Sequence, residues 1–463
     1  MSERERAPRE DWAGTTVEAD LTWTGESFES SVRVGIGTDG RVDTVEKPED
    51  PGPVKVRRLR GKALLPGFVN THSHAFQRGL RGRGETFPSG AGSFWTWREE
   101  MYRLVQRLDR QSFHDLCVRA FCEMRAAGIT TVGEFHYLHH EDAAARDGTF
   151  DEVVLDAAAE VGLRIVLLQT FYATGGVGRE LLEGQQRFAT PDLEEYWYRV
   201  DRLGERIERT TERTADGGER RLQSLGAVAH SLRAAGPDQV VSLYGQARRR
   251  DLPFHMHVEE QRWEIEDCVE KYGKRPMELL LDELEVTSTF TAVHCTHTPV
   301  EDLARFVAAG GNVCVCPLTE ANLGDGLPTL TPDQDPDAPS PAAYRLSLGT
   351  DSNARISMLE EMRWLEYGQR LKTESRGILR EDEGSVSRTL LEAATRGGAR
   401  ALNLPVGDLE PGNWADMTAI DLEHPDLAET EPKTLLDALV FGCSNEVIAG
   451  TCVGGRWEEK LRR

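Results

Sequence analysis

Eight short apolar segments, spaced along residues 63–351, constrain the fold of this chain more than any other feature of its sequence. Each has the composition of a buried parallel strand, and longer segments with helix-like spacing of apolar residues connect them. The pattern predicts an α/β fold, a (β/α)₈ or TIM barrel, with its active site at the C-terminal ends of the strands. The eight segments are 63–70, 130–137, 164–170, 225–231, 253–258, 290–294, 312–316 and 345–351.

Both ends of the chain have β character. Short strand-like pieces with turns include Thr15–Asp20 near the start and Ala415–Asp421 near the end. We therefore predict a small β-sandwich domain built from both termini, residues 1–62 and 406–463, beside a catalytic barrel of residues 63–405. Two segments are predicted to be surface loops because they are rich in charged residues or in Pro and Asp: Arg202–Arg221 and Thr331–Pro341.

The charge and the cysteines limit the partners and the compartment. A formal net charge of -23 argues against nucleic acid and anionic membranes as partners, because phosphate binding requires clustered basic residues. No apolar stretch is long enough to span a bilayer, and the charged start Met1–Arg6 lacks the apolar segment of a secretion signal. The 8 cysteines include no C-x-x-C pair, as is typical of a reducing compartment. We expect a cytoplasmic protein that acts on a small molecule.

Histidine and carboxylate side chains follow four of the predicted strands. The first strand leads into His72-Ser73-His74, and side chains at positions i and i+2 of a strand point to the same face. The later strand ends carry His257 with Glu260, then His294, then Asp351. Because parallel strands of a barrel end at one rim, these groups are expected to meet there. Imidazole and carboxylate groups are zinc ligands, so the pattern predicts a rim able to perform metal-assisted hydrolysis.

These residues carry a resemblance to a known family. Leu65–His74 resembles the opening motif of the amidohydrolase superfamily, and Gly412–Met417 resembles the Gly-x-x-Ala-Asp strand of its small domain. Within the superfamily, the chain is most similar to the deiminases that act on N-formimino-L-glutamate, over roughly residues 60–420. The blocks that carry this likeness are His74–Arg78, Ser93–Arg98, Glu134–Tyr137, His230–Arg233, Thr319–Gly326 and Trp364–Arg370.

The resemblance implies one divalent metal ion per subunit, with Zn²⁺ favoured over iron, manganese or cobalt. Branches with two metals use a carboxylated lysine on strand four, and the segment 225–231 contains no lysine. His255 is expected to pack behind the site, although its spacing from the next histidine also permits a ligand role. The implied ligands are His72, His74, His257 and Asp351.

The resemblance also implies the reaction: hydrolysis of N-formimino-L-glutamate to N-formyl-L-glutamate and ammonia, a step of histidine degradation, by a homodimer. His294 is then expected to contact the attacking water or the tetrahedral centre. Glu260 is expected to face the leaving nitrogen and to pass it a proton, and Asp351 can accept the proton that the water releases.

A glutamate moiety carries two carboxylates, so its pocket requires fixed cations and hydrogen-bond donors. One position departs from the deiminase pattern: Asn353 stands where a histidine is expected, and an asparagine cannot carry a charge. This departure predicts a difference in pH behaviour or substrate range if the side chain reaches the pocket. The residues that the resemblance places against the substrate are Gln77, Arg98, Tyr137, His230 and Arg233.

Two other interpretations remain open at this point. The first is an amidohydrolase that deaminates a heterocycle such as guanine, cytosine or a triazine; such substrates lack carboxylates, so Arg98 and Arg233 argue against it. The second is a barrel that has lost catalysis and serves as a scaffold. Loss of catalysis would be expected to remove metal ligands, and all four are present.

Overall fold

The computed structural model describes residues 8–49, 56–85, 94–214, 218–330, 344–381 and 384–460. The predicted loop Thr331–Pro341 and the first residue of the block Ser93–Arg98 lie outside the described residues. The strands are β1 (Glu10–Asp11), β2 (Thr15–Trp23), β3 (Phe28–Glu29), β4 (Arg33–Ile36), β5 (Val42–Glu46), β6 (Val56–Pro66), β7 (Phe68–Ser73), β8 (Ile129–His136), β9 (Arg164–Phe171), β10 (Glu212–Arg213), β11 (Glu219–Arg220), β12 (Gln223–Ala229), β13 (Phe254–Val258), β14 (Phe290–His294), β15 (Asn312–Val315), β16 (Leu346–Leu348), β17 (Met417–Asp421), β18 (Ile448–Val453) and β19 (Arg456–Glu459).

Eight parallel strands form the predicted barrel in the order β7, β8, β9, β12, β13, β14, β15 and β16. The last strand returns to the first through a parallel bridge between Ser73 and Asp351, which brings the two ends of the sheet together. Every residue of β8 and β9 is buried, as the unbroken apolar composition of these segments predicts. The fold class predicted from the sequence is confirmed.

Helices connect the strands and cover the barrel. Several begin at a residue whose side chain accepts a backbone N–H of the first turn: Asp109 for the second helix, Asp192 for the fourth and Ser357 for the tenth. The helices are α1 (Phe94–Arg107), α2 (Arg110–Ala126), α3 (Thr149–Val161), α4 (Leu193–Thr210), α5 (Pro237–Arg249), α6 (Arg262–Tyr272), α7 (Pro276–Glu283), α8 (Val300–Ala308), α9 (Pro317–Leu323), α10 (Met358–Thr373), α11 (Val386–Glu392), α12 (Gly398–Ala401) and α13 (Leu435–Gly442). Within the described ranges, no helix is long and apolar enough to cross a membrane.

The prediction of a surface loop at Arg202–Arg221 is wrong for the first half of this segment. Helix α4 continues to Thr210 because Leu203 and Ile207 repeat at the spacing of one helix face and are buried beneath it. The charged residues between them occupy the solvent side of the helix, and this charge masked the apolar repeat in the sequence. Among the described residues of the remainder, Glu212–Arg213 and Glu219–Arg220 form the short antiparallel pair β10–β11.

Strands from both termini combine in one sheet beside the barrel, in the order β1, β19, β18, β17, β6, β2, β4, β5, with β3 paired to β2. This sheet encloses its own apolar core, in which Trp12 stacks on Trp457 with ring centroids 4.5 Å apart. A contribution from both ends of the chain agrees with the predicted fold class. The boundaries at residues 62 and 406 stay predictions.

A buried ion pair joins this sheet to the barrel. Arg164, at the start of β9, donates from Nε and Nη2 to the two carboxylate oxygens of Asp416, at 2.7 and 2.9 Å. Asp416 also accepts the N–H of Gly454 at 2.7 Å, and the guanidinium lies 4.4 Å from the ring centroid of Trp414. The aspartate of the Gly-x-x-Ala-Asp motif therefore anchors the small sheet to the barrel through a bidentate contact.

Replacing Arg164 with methionine is expected to lower the free energy of unfolding by about 3–5 kcal/mol, because Asp416 would stay buried without its counter-charge. Urea denaturation of the two proteins measures the difference. Arg41→Met is the matched control: Arg41 packs 4.0 Å from the same Trp414 ring, but its side chain is 34% exposed. Its loss is expected to cost about 1 kcal/mol or less. Equal losses in the two variants would contradict the role given to the buried pair.

Candidate metal centre and active-site cleft

The predicted rim residues lie together at the C-terminal ends of the barrel strands. His72 is on β7 and His74 directly follows it, His257 is on β13, and Asp351 follows β16. The alternation of side chains along a strand directs each of these histidines into the barrel. Asp351 adopts a left-handed φ of 44°, an uncommon conformation for a residue other than glycine, of the kind that clusters at functional sites.

The ligating atoms of the four predicted metal ligands lie close to one another. Nε2 of His72 and Nε2 of His74 are 3.4 and 3.2 Å from Oδ1 of Asp351. Nε2 of His257 is 3.2 Å from Nε2 of His72. All four residues are buried. These separations suit the ligands of a single ion, since metal–ligand bonds of about 2 Å place neighbouring ligand atoms roughly 3 Å apart.

The hydrogen bonds of the outer ring nitrogens support this arrangement. Nδ1 of His74 donates to the carbonyl oxygen of Phe135 at 2.7 Å, and Nδ1 of His257 donates to that of His230 at 3.0 Å. With the proton on Nδ1, each neutral ring presents the Nε2 lone pair to the centre, as metal-binding histidines do. The donor set therefore fits one divalent cation.

Burial sets the charge of these ligands. It lowers the pKa of the His72 imidazole to about 3 and that of His257 well below its usual value. Burial alone would raise the pKa of Asp351, but the adjacent side chains of His72 and His74 hold it well below its usual range. At neutral pH His72 and His257 are therefore neutral imidazoles and Asp351 is an ionised carboxylate, the protonation states that a metal requires.

His294 and Glu260 face the same centre. Nε2 of His294 is 3.9 Å from Oδ2 of Asp351 and 4.0 Å from Oε1 of Glu260. On the other side of the ring, Nδ1 is 3.2 Å from Oε1 of Glu320. Burial opposes protonation of this imidazole, but the carboxylates of Glu260, Glu320 and Asp351 raise the pKa of His294 to about 10.

The metal cluster opens into a cleft of about 680 Å³. Gln77 donates from Nε2 to the Tyr137 hydroxyl at 2.6 Å, and Arg98 donates from Nε to the Tyr102 hydroxyl at 2.6 Å. All of the predicted substrate-binding residues line this cleft: Gln77, Arg98, Tyr137, His230 and Arg233.

Arg233 has a partner that the sequence did not indicate. Its Nη2 lies 2.9 Å from Oε2 of Glu260, and its Nε lies 3.6 Å from Oε1 of Glu264. Burial would lower the pKa of this arginine, but Glu264 and Glu260 raise it. The guanidinium therefore fixes the position of the predicted proton donor in addition to lining the cleft.

Further cleft residues were absent from the sequence prediction. The aromatic side chains among them are Trp97, Tyr102, Tyr172, Phe188 and Trp263. Tyr172 directly follows β9, so the strand-end argument applied to every strand would have found it. The other four lie in helical segments or connections whose placement depends on tertiary packing.

Asn353 does not line the cleft. Its Nδ2 donates to Oγ of Ser73 at 3.1 Å and to the carbonyl oxygen of His74 at 3.0 Å, and its Oδ1 accepts the Thr350 hydroxyl at 2.7 Å. Its φ of 55° is left-handed, a conformation that asparagine tolerates. The side chain joins the strand-eight turn to strand one, and it affects the metal site through backbone position.

His255 points away from the metal cluster. Its Nε2 donates to the carbonyl oxygen of Ala401 at 2.9 Å. It shares a face of β13 with His257 but lies two residues nearer the start of the strand, away from the rim. A second buried histidine cluster lies beside the barrel, where His136 and His139 contact Oδ1 of Asp151 at 3.0 and 2.7 Å. These separations are those of hydrogen bonds, and the contacts tie β8 to α3.

Comparison with known proteins shows the family to which this chain belongs. The chain matches the model of the amidohydrolase family over residues 63–457. It is 37% identical over 448 residues to a formimidoylglutamate deiminase of Pseudomonas aeruginosa, a match that covers 96% of this chain and 94% of that protein. A 5-methylthioadenosine/S-adenosylhomocysteine deaminase of Shouchella clausii is 28% identical over 400 residues, with 85% and 80% covered.

Solved structures show the same architecture. An amidohydrolase from Brucella melitensis superposes with a TM-score of 0.80 at 33% identity, and the match covers 96% of both chains. An adenosine deaminase from Xanthomonas campestris, solved with bound zinc, superposes with a TM-score of 0.76 at 21% identity over 96% of this chain and 92% of that one. The second likeness concerns the fold alone.

Proposed function

Because the chain belongs to the amidohydrolase family and is a metal-dependent hydrolase acting on C–N bonds, we propose that it hydrolyses N-formimino-L-glutamate to N-formyl-L-glutamate and ammonia. One observation carries this proposal: Arg98 and Arg233 line the same cleft as His74, His257 and Asp351 of the metal cluster. A substrate with both carboxylates and a hydrolysable C–N bond matches a cleft that combines arginines with a metal site. The 37% identity with a formimidoylglutamate deiminase supports it over almost the whole chain.

The proposed metal ligands are His72, His74, His257 and Asp351: Asp351 lies 3.4 and 3.2 Å from the first two, and His257 lies 3.2 Å from His72. Three imidazoles and one carboxylate form a set that zinc binds readily, and we take zinc as the resident ion. When bound, the ion supplies a Lewis acid that lowers the pKa of water and polarises the formimino group. Strand β12 carries no lysine, which supports one ion per subunit.

The proton transfers are assigned to the side chains that face this centre. Asp351 accepts the proton that the attacking water releases, because its carboxylate is ionised and points into the cluster. Glu260 passes a proton to the leaving nitrogen, and the proton that Asp351 takes from the water replaces it over the turnover, so the protons balance. The contact with Arg233 holds the Glu260 carboxyl group in place. His294 contacts the tetrahedral centre from the side of Asp351 and Glu260.

The carboxylates of the glutamate moiety are assigned to the far part of the cleft. Arg98 presents a guanidinium from α1 beside the Tyr102 hydroxyl. Gln77 and Tyr137 form a hydrogen-bonded pair that lines the same cleft, and the Tyr137 ring packs against His74. His230 follows β12 and lines the same wall. The same proposal assigns the enzyme to histidine degradation in the cytoplasm, as a homodimer.

Ammonia release by the zinc-loaded protein tests the proposal. N-formimino-L-glutamate, N-formimino-L-aspartate and guanine are supplied in parallel, and protein treated with a chelator is the control for metal dependence. We expect rapid turnover of the glutamate compound, slower turnover of the shorter aspartate compound and none of guanine. Turnover of guanine without turnover of the glutamate compound would replace the proposal with the deamination of a heterocycle.

Arg98→Ala is expected to raise KM for N-formimino-L-glutamate about 10- to 100-fold, because a charge-assisted hydrogen bond contributes roughly 1.5–3 kcal/mol. We expect kcat to change much less, since Arg98 binds the end of the substrate that does not react. Arg103→Ala is the matched control on the same helix, where the side chain of Arg103 is 59% exposed and pairs with Glu100. Steady-state kinetics distinguishes the two, and an unchanged KM in Arg98→Ala would remove this residue from the carboxylate site.

A further inference from the structure

The side chain of His294 emerges from a strained backbone. His294 ends β14 with a left-handed φ of 73°, and Cys295 follows with a φ of 52°. Two consecutive left-handed residues other than glycine are costly, and such segments persist only where the surroundings hold them. They also end the alternation of the strand, so the direction of the imidazole depends on its contacts.

Glu320 supplies the hydrogen-bonding contact on the side of the ring away from the metal cluster. It lies on α9, is 1% exposed, and its Oε1 is 3.2 Å from Nδ1 of His294. The same oxygen accepts the N–H of Cys316 at 2.9 Å, which fixes the carboxylate against the start of the helix. Oε1 of Glu320 accepts the Cys316 N–H and also acts as an acceptor toward the imidazole. The His294 ring must therefore donate its N–H from Nδ1 to this oxygen.

We propose that Glu320 is a positioning residue that holds His294 with an Nδ1–H donated to the Glu320 carboxylate and with its Nε2 directed at the reacting centre. This inference rests on the proposed function, because it assigns the orientation of a side chain of that same site. It explains why the Glu320 carboxylate is buried beside His294, although this carboxylate does not face the cleft. The partner on the outer nitrogen of a functional histidine sets which nitrogen reacts.

A helix-capping role is the competing explanation, and the chain offers a matched control for it. Glu361, on α10, is also fully buried, and its Oε2 accepts the N–H of Leu318 at 2.9 Å, two residues from the Cys316 contact. In the described residues, Glu361 makes no hydrogen bond or ion pair with His294. Glu361 therefore stabilises the same end of α9 as Glu320 does, but it does not contact the His294 ring.

Three variants of the full-length, metal-loaded protein test the proposal: Glu320→Leu, Glu320→Gln and Glu361→Leu. Glu320→Leu is expected to lower kcat about 10- to 100-fold with little change in KM, the usual effect of losing such an outer partner. Glu320→Gln is expected to recover most of this loss, because the Cys316 N–H keeps the amide oxygen at the position that accepts from Nδ1. Glu361→Leu is expected to lower Tm and leave kcat close to the wild-type value.

A double-mutant cycle decides whether Glu320 acts through His294. If it does, Glu320→Leu has no further effect on kcat in a His294→Ala background. A purely structural role would instead lower kcat by the same factor in the wild-type and His294→Ala backgrounds. Equal kcat losses in Glu320→Leu and Glu361→Leu, or additive losses in the cycle, would overturn the proposal.

A measurement without substrate separates this inference from the proposed function. In protein labelled with ¹⁵N-histidine, the wild type is expected to show His294 protonated at Nδ1, with the signal assigned by its absence in His294→Ala. The signal is expected to shift in Glu320→Leu and to persist in Glu361→Leu. A wild-type His294 protonated only at Nε2 would overturn the inference even if the enzyme hydrolyses N-formimino-L-glutamate. Failure of the wild type to hydrolyse that compound would overturn the proposed function alone.

Discussion

His257→Ala is expected to release the metal ion and to lower kcat/KM by about 1,000-fold or more, because the attacking water would lose the ion that lowers its pKa to about 7. The structure gives the reason for choosing this ligand. His257 approaches His72 to 3.2 Å between the Nε2 atoms, and its outer nitrogen is held by the carbonyl of His230. Elemental analysis after dialysis measures the metal content, and ammonia release measures the activity.

His255→Gln is the matched control, since it removes an imidazole two residues away on the same strand. His255 donates to the carbonyl of Ala401 and points away from the cluster, and a glutamine amide can make the same donation. We expect full metal content and kcat/KM close to that of the wild type. Loss of the metal in the His255 variant, with the metal retained in His257→Ala, would show that the ligand assignment on β13 is wrong.

Glu260→Gln is expected to lower kcat by about 10²–10⁴ while the metal content stays at the wild-type level, because general acid catalysis contributes that much and an amide cannot supply the proton. The amide is isosteric and can still accept the hydrogen bond that Arg233 donates at 2.9 Å. The cleft should therefore keep its shape, and KM should change little. The loss is expected at every pH, since the amide does not titrate.

Glu264→Gln controls for the general effect of removing a negative charge near Arg233. Glu264 is fully buried on α6, and its carboxylate lies 3.6 Å from Nε of Arg233 without facing the metal cluster. Burial raises the pKa of Glu264 to about 7, so the wild-type carboxyl is already partly neutral near neutral pH. We expect a small change in kcat. A loss as large as that of Glu260→Gln would assign the effect to the charge balance around Arg233 and remove Glu260 as the proton donor.

Much of the metal site could be predicted from the sequence because strand geometry is local. The alternation of side chains along a strand places His72 and His74 on one face, and parallel strands of a barrel share one functional rim. His257 and Asp351 follow from the same two rules applied to later strands. The resemblance then supplied the five proposed substrate-binding residues, and each of them lies in the cleft.

The amphipathic end of α4 shows where local patterns mislead. Charged residues dominate Arg202–Thr210, yet Leu203 and Ile207 bury one face of a helix there. A composition count averages over both faces, whereas packing depends only on the face that meets the barrel.

What the sequence determined by itself about this protein is the barrel, the convergence of its strand ends and the residue types able to hold a metal ion. What only the tertiary structure decided is which partner each polar side chain receives: Glu260 for Arg233, Glu320 for His294 and Asp416 for Arg164. These partners lie 26 to 252 residues apart along the chain. The physical reason is that a buried charge must find a counter-charge within hydrogen-bond distance, and packing of distant elements, not spacing in sequence, sets which group lies there.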